Sequence, residues 1–418
     1  MKKVAIITST RAEYGLLEPL IKRLLDDGKV CPKVVVTGAH LLEEFGMTGR
    51  EIEEDAKQFG FEIDEKIDIH MAGDKPVDIS RIMGNALILF GEYFDRKKPD
   101  AIVVLGDRYE MLAVCSAALN ARIPIIHIHG GETTEGAIDE AVRHSITKMS
   151  CLHFTSTEAY RKRVIQLGEN PETVFNCGAL GVENALNVEL MNRAELQESL
   201  NAKLMTCEKL DENLIVKQTG IENKNNRQID LENRYAVGTF HPVTLEDNSA
   251  RKQVEELIAV IKKHHDITWI FTKAGADAGG REVNKLLVDF AKENDNFYLF
   301  DSLGMRRYLS AVKGALFVIG NSSSGLIEVP SFHVPTINIG ARQKGRIAGA
   351  SVINCEPERE SIDAAITKAL SNDFKAMIAE AENPYEKSGT SKMIADTIED
   401  FLLNNKLNIM KSFYDISF

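Results

Sequence analysis

The chain contains no CxxC pair. Its six cysteines, Cys31, Cys115, Cys151, Cys177, Cys207 and Cys355, are scattered. That excludes a zinc ribbon and points to reduced, packed thiols in a cytoplasmic protein. No apolar run reaches the length of a membrane-spanning helix. The opening "MKKVAIITSTRAEYG" has too short an apolar part for a signal peptide, because Arg11 and Glu13 follow at once. It reads instead as a buried first strand. No basic run offsets the formal net charge of −12, so a nucleic-acid backbone is a poor partner. A phosphate ligand stays open, since it needs only a few cations and amides converging at one place. Internal repeats and low-complexity tracts are also lacking.

What is present is enough for two cores. The 418 residues exceed the usual single-core limit, and 44% are hydrophobic. Short β-branched runs, "VAIIT" (4–8), "VVVT" (34–37), "AIVVLGD" (101–107), "PIIHIHGG" (124–131) and "CLHFTST" (151–157), read as buried parallel strands. Helical patterns at 15–27, 80–96, 108–120, 136–149 and 158–167 alternate with them. A second set starts at "YAVGTFH" (235–241) and continues through "ITWIFT", "FYLFDS", "ALFVIGNS" and "PTINIG". Its helices are expected at 249–264, 281–293, 304–312 and 323–329. Such alternation predicts an α/β protein of two Rossmann-like doubly wound domains. The expected boundaries are 1–185, a linker and polar insertion over 186–234, a second domain over 235–385, and a tail over 386–418. The tail's helical spacing at 391–407 suggests docking on the first domain.

Doubly wound folds bind ligands beyond the carboxyl ends of their strands, so polar residues just after apolar runs are the candidates. "TSTRAEYG" puts Arg11 after the first strand, either as an anion ligand or as a solvated residue behind an N-cap. "VVLGDRYE" ends a strand in Asp107 and Arg108, where the aspartate can bind hydroxyls, act as a base, or cap the next helix. "HIHGGETTEGAIDEAVRHSIT" holds His127 and His129, two apart on a strand and so on one face, a spacing metal sites use. Glu132 and Asp139 follow, and Asp139 and Arg143 are spaced to pair on a helix. With Asp107, these acids gather carboxylates at the mouth of one sheet, which favours acid/base work over metal binding. In the second half, "VIGNSSSGLIEVP" offers Ser322 and Ser323 at the start of a helix that Pro330 ends. Glu328 is one turn on, suited to a ribose diol. Arg346 in "GARQKGR", Asp277 in "TKAGADAGG" and His241 in "TFHPVT" complete the candidates.

These stretches, in this order, resemble the hydrolysing branch of the UDP-N-acetylglucosamine 2-epimerase family: "STRAEYGLL", "LGDRYEML", "HIHGGETTEGAIDEAVRHSITKMSCLHFTSTE", "TFHPVT", "GNSSSGLIEVP" and "INIGARQKGR". The resemblance runs from residue 1 to about 375, with 200–234 as an extra segment. It implies a GT-B-like fold, two Rossmann-like domains with a cleft between them that close over a nucleotide sugar. Ser322 and Ser323 match the diphosphate site and Glu328 the ribose site. Arg11 and His241 would approach the phosphates, supported by Arg108, Arg143 and Arg346. Asp107, Glu132 and Asp139 match the carboxylates of the sugar site. Related members often carry Glu where this chain has His129, so Glu132 and His129 are alternatives for the second acid.

The activity so implied is conversion of UDP-N-acetylglucosamine to N-acetylmannosamine and UDP, for sialic acid synthesis. It proceeds by anti elimination and hydration, without a metal or other cofactor. The expected partner is the UDP-sugar, with no nucleic acid and no membrane, in a homodimer or homotetramer. UDP-N,N′-diacetylbacillosamine is the alternative substrate. A GT-B glycosyltransferase, a metal-dependent hydrolase built on His127 and His129, and a plain nucleotide-sugar binding module are the readings from other classes.

Overall fold

The computed structural model describes residues 1–73, 75–135, 137–204, 227–232, 234–243, 249–275 and 279–416. They divide into two compact units, Met1–Asn184 with Tyr385–Phe418, and Ala185–Pro384.

In the first unit the strands are β1 (Lys2–Thr8), β2 (Val30–Thr37), β3 (Glu62–Ile67), β4 (Ala101–Leu105), β5 (Ile125–Ile128), β6 (Leu152–Thr155) and β7 (Val174–Asn176). All pair in parallel, in the order β3-β2-β1-β4-β5-β6-β7. The intervening helices are α1 (Arg11–Asp27), α2 (Gly49–Phe59), α3 (Pro76–Lys97), α4 (Tyr109–Asn120), α5 (Asp139–Met149) and α6 (Glu158–Gln166). The chain moves on to the second unit within α7 (Leu180–Asn187).

The second unit opens with a helix over 193–204, α8. Its parallel strands are β8 (Tyr235–Thr239), β9 (Thr268–Thr272), β10 (Phe297–Phe300), β11 (Val318–Gly320), β12 (Thr336–Ile339) and β13 (Val352–Cys355), ordered β10-β9-β8-β11-β12-β13. Its other helices are α9 (Ser249–Lys263), α10 (Gly280–Glu293), α11 (Met305–Gly314), α12 (Ser324–Ile327), α13 (Arg359–Leu370) and α14 (Asn372–Ile378). Last, α15 (Thr390–Leu403) returns the chain to the first unit.

Period-two alternation on a strand buried on both sides explains the layering. Val4 and Ile6 of β1 enter a core with Leu17, Leu20 and Leu24 of α1 and Ile394 and Ile398 of α15. Ala5 and Ile7 enter the opposite core, with Phe90 and Tyr93 of α3 and Val114 of α4. The second unit repeats the pattern. Ala236 of β8 joins Leu257 of α9 and Leu287 of α10, whereas Val237 joins Leu200 of α8 and Ala311 of α11. Both units are thus Rossmann-like and doubly wound. Among the described residues no helix is long and apolar enough to cross a membrane.

Several elements differ from the sequence pattern. α1 starts at Arg11 rather than near residue 15, because Thr10 and Glu13 cap it reciprocally: the Glu13 amide donates to Thr10 Oγ1, and Glu13 Oε2 accepts the Thr10 amide. The helix expected over 323–329 is the single turn α12, followed by a 3₁₀ turn, Val329–Phe332, that contains Pro330. In the stretch read as linker and polar insertion, the described parts are packed. Leu196, Leu200, Leu204, Ile229 and Leu231 are buried with Val237 and Ile270 of the second sheet. Residues 205–226 lie outside the described residues.

Candidate active site

Strand order reverses direction between β1 and β4 in the first sheet and between β8 and β11 in the second. At such a switch point the loops leaving the two strands diverge and open a crevice above the carboxyl ends. Arg11 follows β1 and Asp107 and Arg108 follow β4; His241 follows β8, and Ser322 and Ser323 follow β11. These candidates therefore lie at each sheet's own switch point, whereas Glu132 and Asp139 follow β5 and Arg346 follows β12.

In the first unit the organiser is Arg143. It is 1% exposed and emerges from the second turn of α5. Its Nη2 pairs with Asp107 Oδ2 and donates to Thr134 Oγ1 at 2.9 Å. Its Nη1 donates to Glu140 Oε2 at 2.9 Å and to the Glu132 carbonyl at 3.0 Å. One guanidinium fork thus ties the end of β4, the loop after β5 and the first turn of α5. Burial alone would lower its pKa, but Asp107 and Glu132 outweigh that and push it up, so it stays charged. Its four-residue spacing from Asp139 predicts a pair within the helix; the fork instead reaches Asp107 and Glu140. Asp107 is not a helix cap, because the N-cap of α4 is Arg108 and no side chain caps that helix. Asp107 keeps 26% of its side chain exposed, open to a ligand.

Glu132 is buried and accepts from Ser156 Oγ at 2.7 Å. The neighbouring His129 Nδ1 lies 3.8 Å from Glu132 Oε1. The backbone parts the two histidines expected on one face. His127 and His129 do not share a face, because His129 lies beyond the end of β5 with φ 66°, a left-handed conformation that breaks the strand alternation. His127 Nε2 donates to the Gly106 carbonyl at 2.8 Å, and its Nδ1 lies 3.2 Å from Thr147 Oγ1. Burial pushes its pKa down to about 3. It is a neutral structural histidine with both ring nitrogens in use, so the two-histidine metal site is not built. Gly131 makes the bend at φ 76°, and a Cβ there would meet the Tyr160 carbonyl at 2.5 Å.

Asp139 is the half-buried first residue of α5. Arg11 sits at the start of α1, where its Nε donates to Glu51 Oε2 at 2.9 Å. Arg108 Nε donates to Glu110 Oε1 at 2.6 Å. Glu140, beside Asp139 in the first turn of α5 and without a role on sequence grounds, joins this cluster. It accepts from Thr133 Oγ1 at 2.6 Å and from the Thr134 amide at 2.7 Å, besides Arg143. Burial would raise its pKa, but these hydrogen bonds, with Arg143 and His144, bring it below the usual carboxylate range. Its signal was available, as the acid next to Asp139 and three residues before Arg143.

In the second unit Asn321 plays the organising part. Its Oδ1 accepts the His241 amide at 2.7 Å and its Nδ2 donates to the His241 carbonyl at 2.7 Å. Its own carbonyl accepts from Arg342 Nη1 at 3.1 Å and Gln343 Nε2 at 2.9 Å. The ends of β8, β11 and β12 are thereby locked. Gly320 allows this approach: at φ 133° its Cα faces the Thr239 carbonyl so closely that no Cβ fits. Ser322, Ser323 and Glu328 are half-buried around α12, and Tyr308 Oη donates to Ser324 Oγ at 3.0 Å. With only one turn of helix, any anion here meets local amides and hydroxyls rather than a long helix dipole. Arg346 is half-buried after β12. Asp277 lies outside the described residues.

Among the described residues one acidic group could present three ligand atoms to a cation: Asp27, Asp396 and Glu399. It sits at the end of α1 remote from Thr10. Lys29 pairs with Glu399 at 2.6 Å and Lys392 with Asp396 at 2.5 Å, so these charges are balanced by lysines.

The chain is similar to known proteins in sequence and in fold. The family model described as UDP-N-acetylglucosamine 2-epimerase matches residues 22–399. An Escherichia coli protein named "Polysialic acid biosynthesis protein P7" is 40% identical over 100% of this chain and 98% of its own length. A Campylobacter jejuni "GDP/UDP-N,N'-diacetylbacillosamine 2-epimerase (hydrolyzing)" is 39% identical over 90% of this chain and 89% of its own. The solved structure of a Neisseria meningitidis UDP-GlcNAc 2-epimerase bound to UDP-GlcNAc superposes with a TM-score of 0.72, covering 95% of this chain and 99% of that one at 18% identity. At that identity the likeness speaks for the shared GT-B-like fold.

Proposed function

Because the chain belongs to the UDP-N-acetylglucosamine 2-epimerase family, and so is a nucleotide-sugar 2-epimerase, we propose that it is a hydrolysing one. In this reading it turns UDP-N-acetylglucosamine into UDP and N-acetylmannosamine. The observation that carries the proposal is the buried Arg143 fork, which fixes Asp107 and the Glu132 loop at the switch point of the first sheet.

The chemistry needs those groups. The C2 hydrogen of the sugar is a weak acid, so its removal must accompany departure of a good leaving group. A carboxylate among Asp107, Glu132 and Asp139 takes the C2 proton. The freed electron pair forms the C1–C2 double bond, and the C1–O bond to UDP breaks with its electrons leaving on the diphosphate. Arg11, Arg108, Arg346, His241 and the amides around Ser322 and Ser323 counter the charge that grows there. Glu328 is assigned to the ribose hydroxyls. Water then adds across the 2-acetamidoglucal, hydroxyl to C1 and a proton to C2 from the opposite face. The 3.8 Å between His129 Nδ1 and Glu132 Oε1 supports assigning that second proton transfer to the two together.

The Campylobacter relative's name supports a second substrate reading, UDP-N,N′-diacetylbacillosamine. Proton NMR in heavy water, with each sugar nucleotide offered separately, tests both. The expected result is free UDP and free N-acetylmannosamine carrying deuterium at C2. Retention of the original C2 hydrogen in the product ends the elimination proposal, and faster turnover of the bacillosamine sugar exchanges the substrate.

A further inference from the structure

Two buried carboxylates beside the first switch point have no part in that chemistry. Glu13 at the start of α1 is 6% exposed, and Glu110 in the first turn of α4 is 0% exposed. Ser9 joins them, with its Oγ 2.7 Å from Glu13 Oε2 and 2.7 Å from Glu110 Oε1. A hydroxyl has one hydrogen and satisfies one of these contacts; the other needs a hydrogen held by a carboxyl. Glu13 Oε1 and Glu110 Oε2 are also buried without a hydrogen-bond partner among the described residues, a costly setting for two full negative charges. Glu110 Oε1 meanwhile accepts from Arg108 Nε at 2.6 Å.

We propose that Glu13 and Glu110, bridged by Ser9 and sharing one proton, are a positioning pair that holds Arg108 ready for the substrate's diphosphate. This inference rests on the epimerase reading above. One proton in common leaves one negative charge opposite one guanidinium. The proton belongs on Glu13, since Glu110 is the partner in the ion pair with Arg108. Burial pushes the Glu13 carboxyl up to about 7, and Glu110 adds to this against the opposing pull of Arg108 and of the Ser9 hydroxyl and amide that bond to Glu13 Oε2. The other charged groups nearby do not compete. His40, whose amide donates to the Ser9 carbonyl, is kept neutral there because burial, with Arg11, pushes it down to about 4. Arg11 itself pairs with Glu51. When Glu13 loses its proton, a second charge enters and Arg108 is drawn onto the pair, away from ligand.

Calorimetric titration of UDP tests this below and above the Glu13 midpoint, at about pH 6 and about pH 8.5, on wild type, Glu13→Gln and Glu110→Gln. Glutamine keeps the cap of α1 and imitates the neutral carboxyl. The ratio of wild-type to Glu13→Gln affinity cancels the titration of UDP itself. Wild type is expected to fall behind Glu13→Gln by roughly three- to tenfold at the higher pH and to match it at the lower. Glu110→Gln is expected to bind UDP about tenfold more weakly at both, with KM raised more than kcat is lowered. Thermal melts establish that both variants are folded. Equal pH dependence in wild type and Glu13→Gln, or unchanged UDP affinity in Glu110→Gln, overturns the pair and leaves the epimerase intact. UDP binding with the expected pattern but no turnover of either UDP-sugar leaves the hold on Arg108 standing and removes the epimerase.

Discussion

Arg143 shows how one side chain can impose geometry on several others. Breaking a buried, multiply bonded guanidinium leaves carboxylates without a counter-charge, which costs about 3–5 kcal/mol. Arg143→Lys keeps the charge but not the fork, and is expected to lower kcat at least about 100-fold with a smaller loss of melting temperature. Unchanged kcat in the folded variant would remove Arg143 from its organising place. Asp107→Asn, Glu132→Gln and Asp139→Asn should each reduce turnover by roughly 10²–10⁴-fold while UDP affinity stays within about threefold. Loss of UDP affinity in step with turnover would make them binding groups. Glu13 makes a prediction about stability. Its folded-state pKa of about 7 stands above the ordinary 4.5, so the folded chain holds that proton more tightly than the unfolded chain. The contribution is fully present below about pH 4.5 and is lost as pH rises through about 7, a difference on the order of 3 kcal/mol. Urea unfolding at about pH 5 and about pH 8 should therefore narrow the gap between wild type and Glu13→Gln at the acid end and widen it in favour of the variant at the alkaline end. Parallel curves would contradict a proton on Glu13. In the sequence, Asp107, Arg108 and Arg143 stood out because each follows or faces a strand end. Glu13 and Glu140 were visible at helix starts but without a role, and Glu110 did not stand out, since an acid in a first helical turn looks the same whether it caps, pairs or sits in water.

Strand ends set the precision of both clusters, and glycine decides how closely they approach. Gly320→Ala would drive a Cβ into the Thr239 carbonyl, main chain that cannot step aside. Expected are loss of UDP binding and a large fall in soluble yield; an unaltered UDP titration would show that β8 and β11 tolerate separation. Buried strands were easy to read, because a strand covered on both faces is a continuous apolar run, as in "VAIIT" and "AIVVL". β3, "EIDEKI", escaped notice: it is a sheet edge with mostly part-exposed residues, so its composition resembles a loop. The short α12 was overestimated for the opposite reason, since "SSSGLIEV" has the composition of a capped helix while its backbone turns only once before the 3₁₀ segment. His129 was misplaced because no periodicity rule announces a left-handed residue outside glycine.

At the scale of the whole chain, two similar α/β halves could be anticipated from the recurring β-then-α rhythm. The packing of 193–204 and 227–232 could not, because leucines spaced between polar residues give a weak period. Residues 385–418 belong to the first unit, where Ile394, Ala395, Ile398, Phe401 and Leu402 complete the core over α1. Five buried apolar side chains contribute roughly 10 kcal/mol, comparable with the net stability of a domain. Truncation after Gly389 is therefore expected to leave the first unit unfolded and prone to aggregation. Truncation after Asn404 spares α15 and removes, among the described residues, the bonds of Lys411 to Glu169 and the Ser150 carbonyl, the Lys406–Asp400 pair, the Tyr414 amide bond to the Gly168 carbonyl and the packing of Leu407 and Phe413, and should yield soluble protein with a lower melting temperature. Soluble, cooperatively melting protein from the truncation after Gly389 would show that α15 is dispensable. The split of the first unit across the polypeptide also bears on biogenesis. Residues 185–384 emerge as one uninterrupted unit, whereas residues 1–184 must wait, partly bare, for α15 to leave the exit tunnel. Chaperone attachment during translation should accordingly concentrate on residues 1–184 and end only once α15 has emerged.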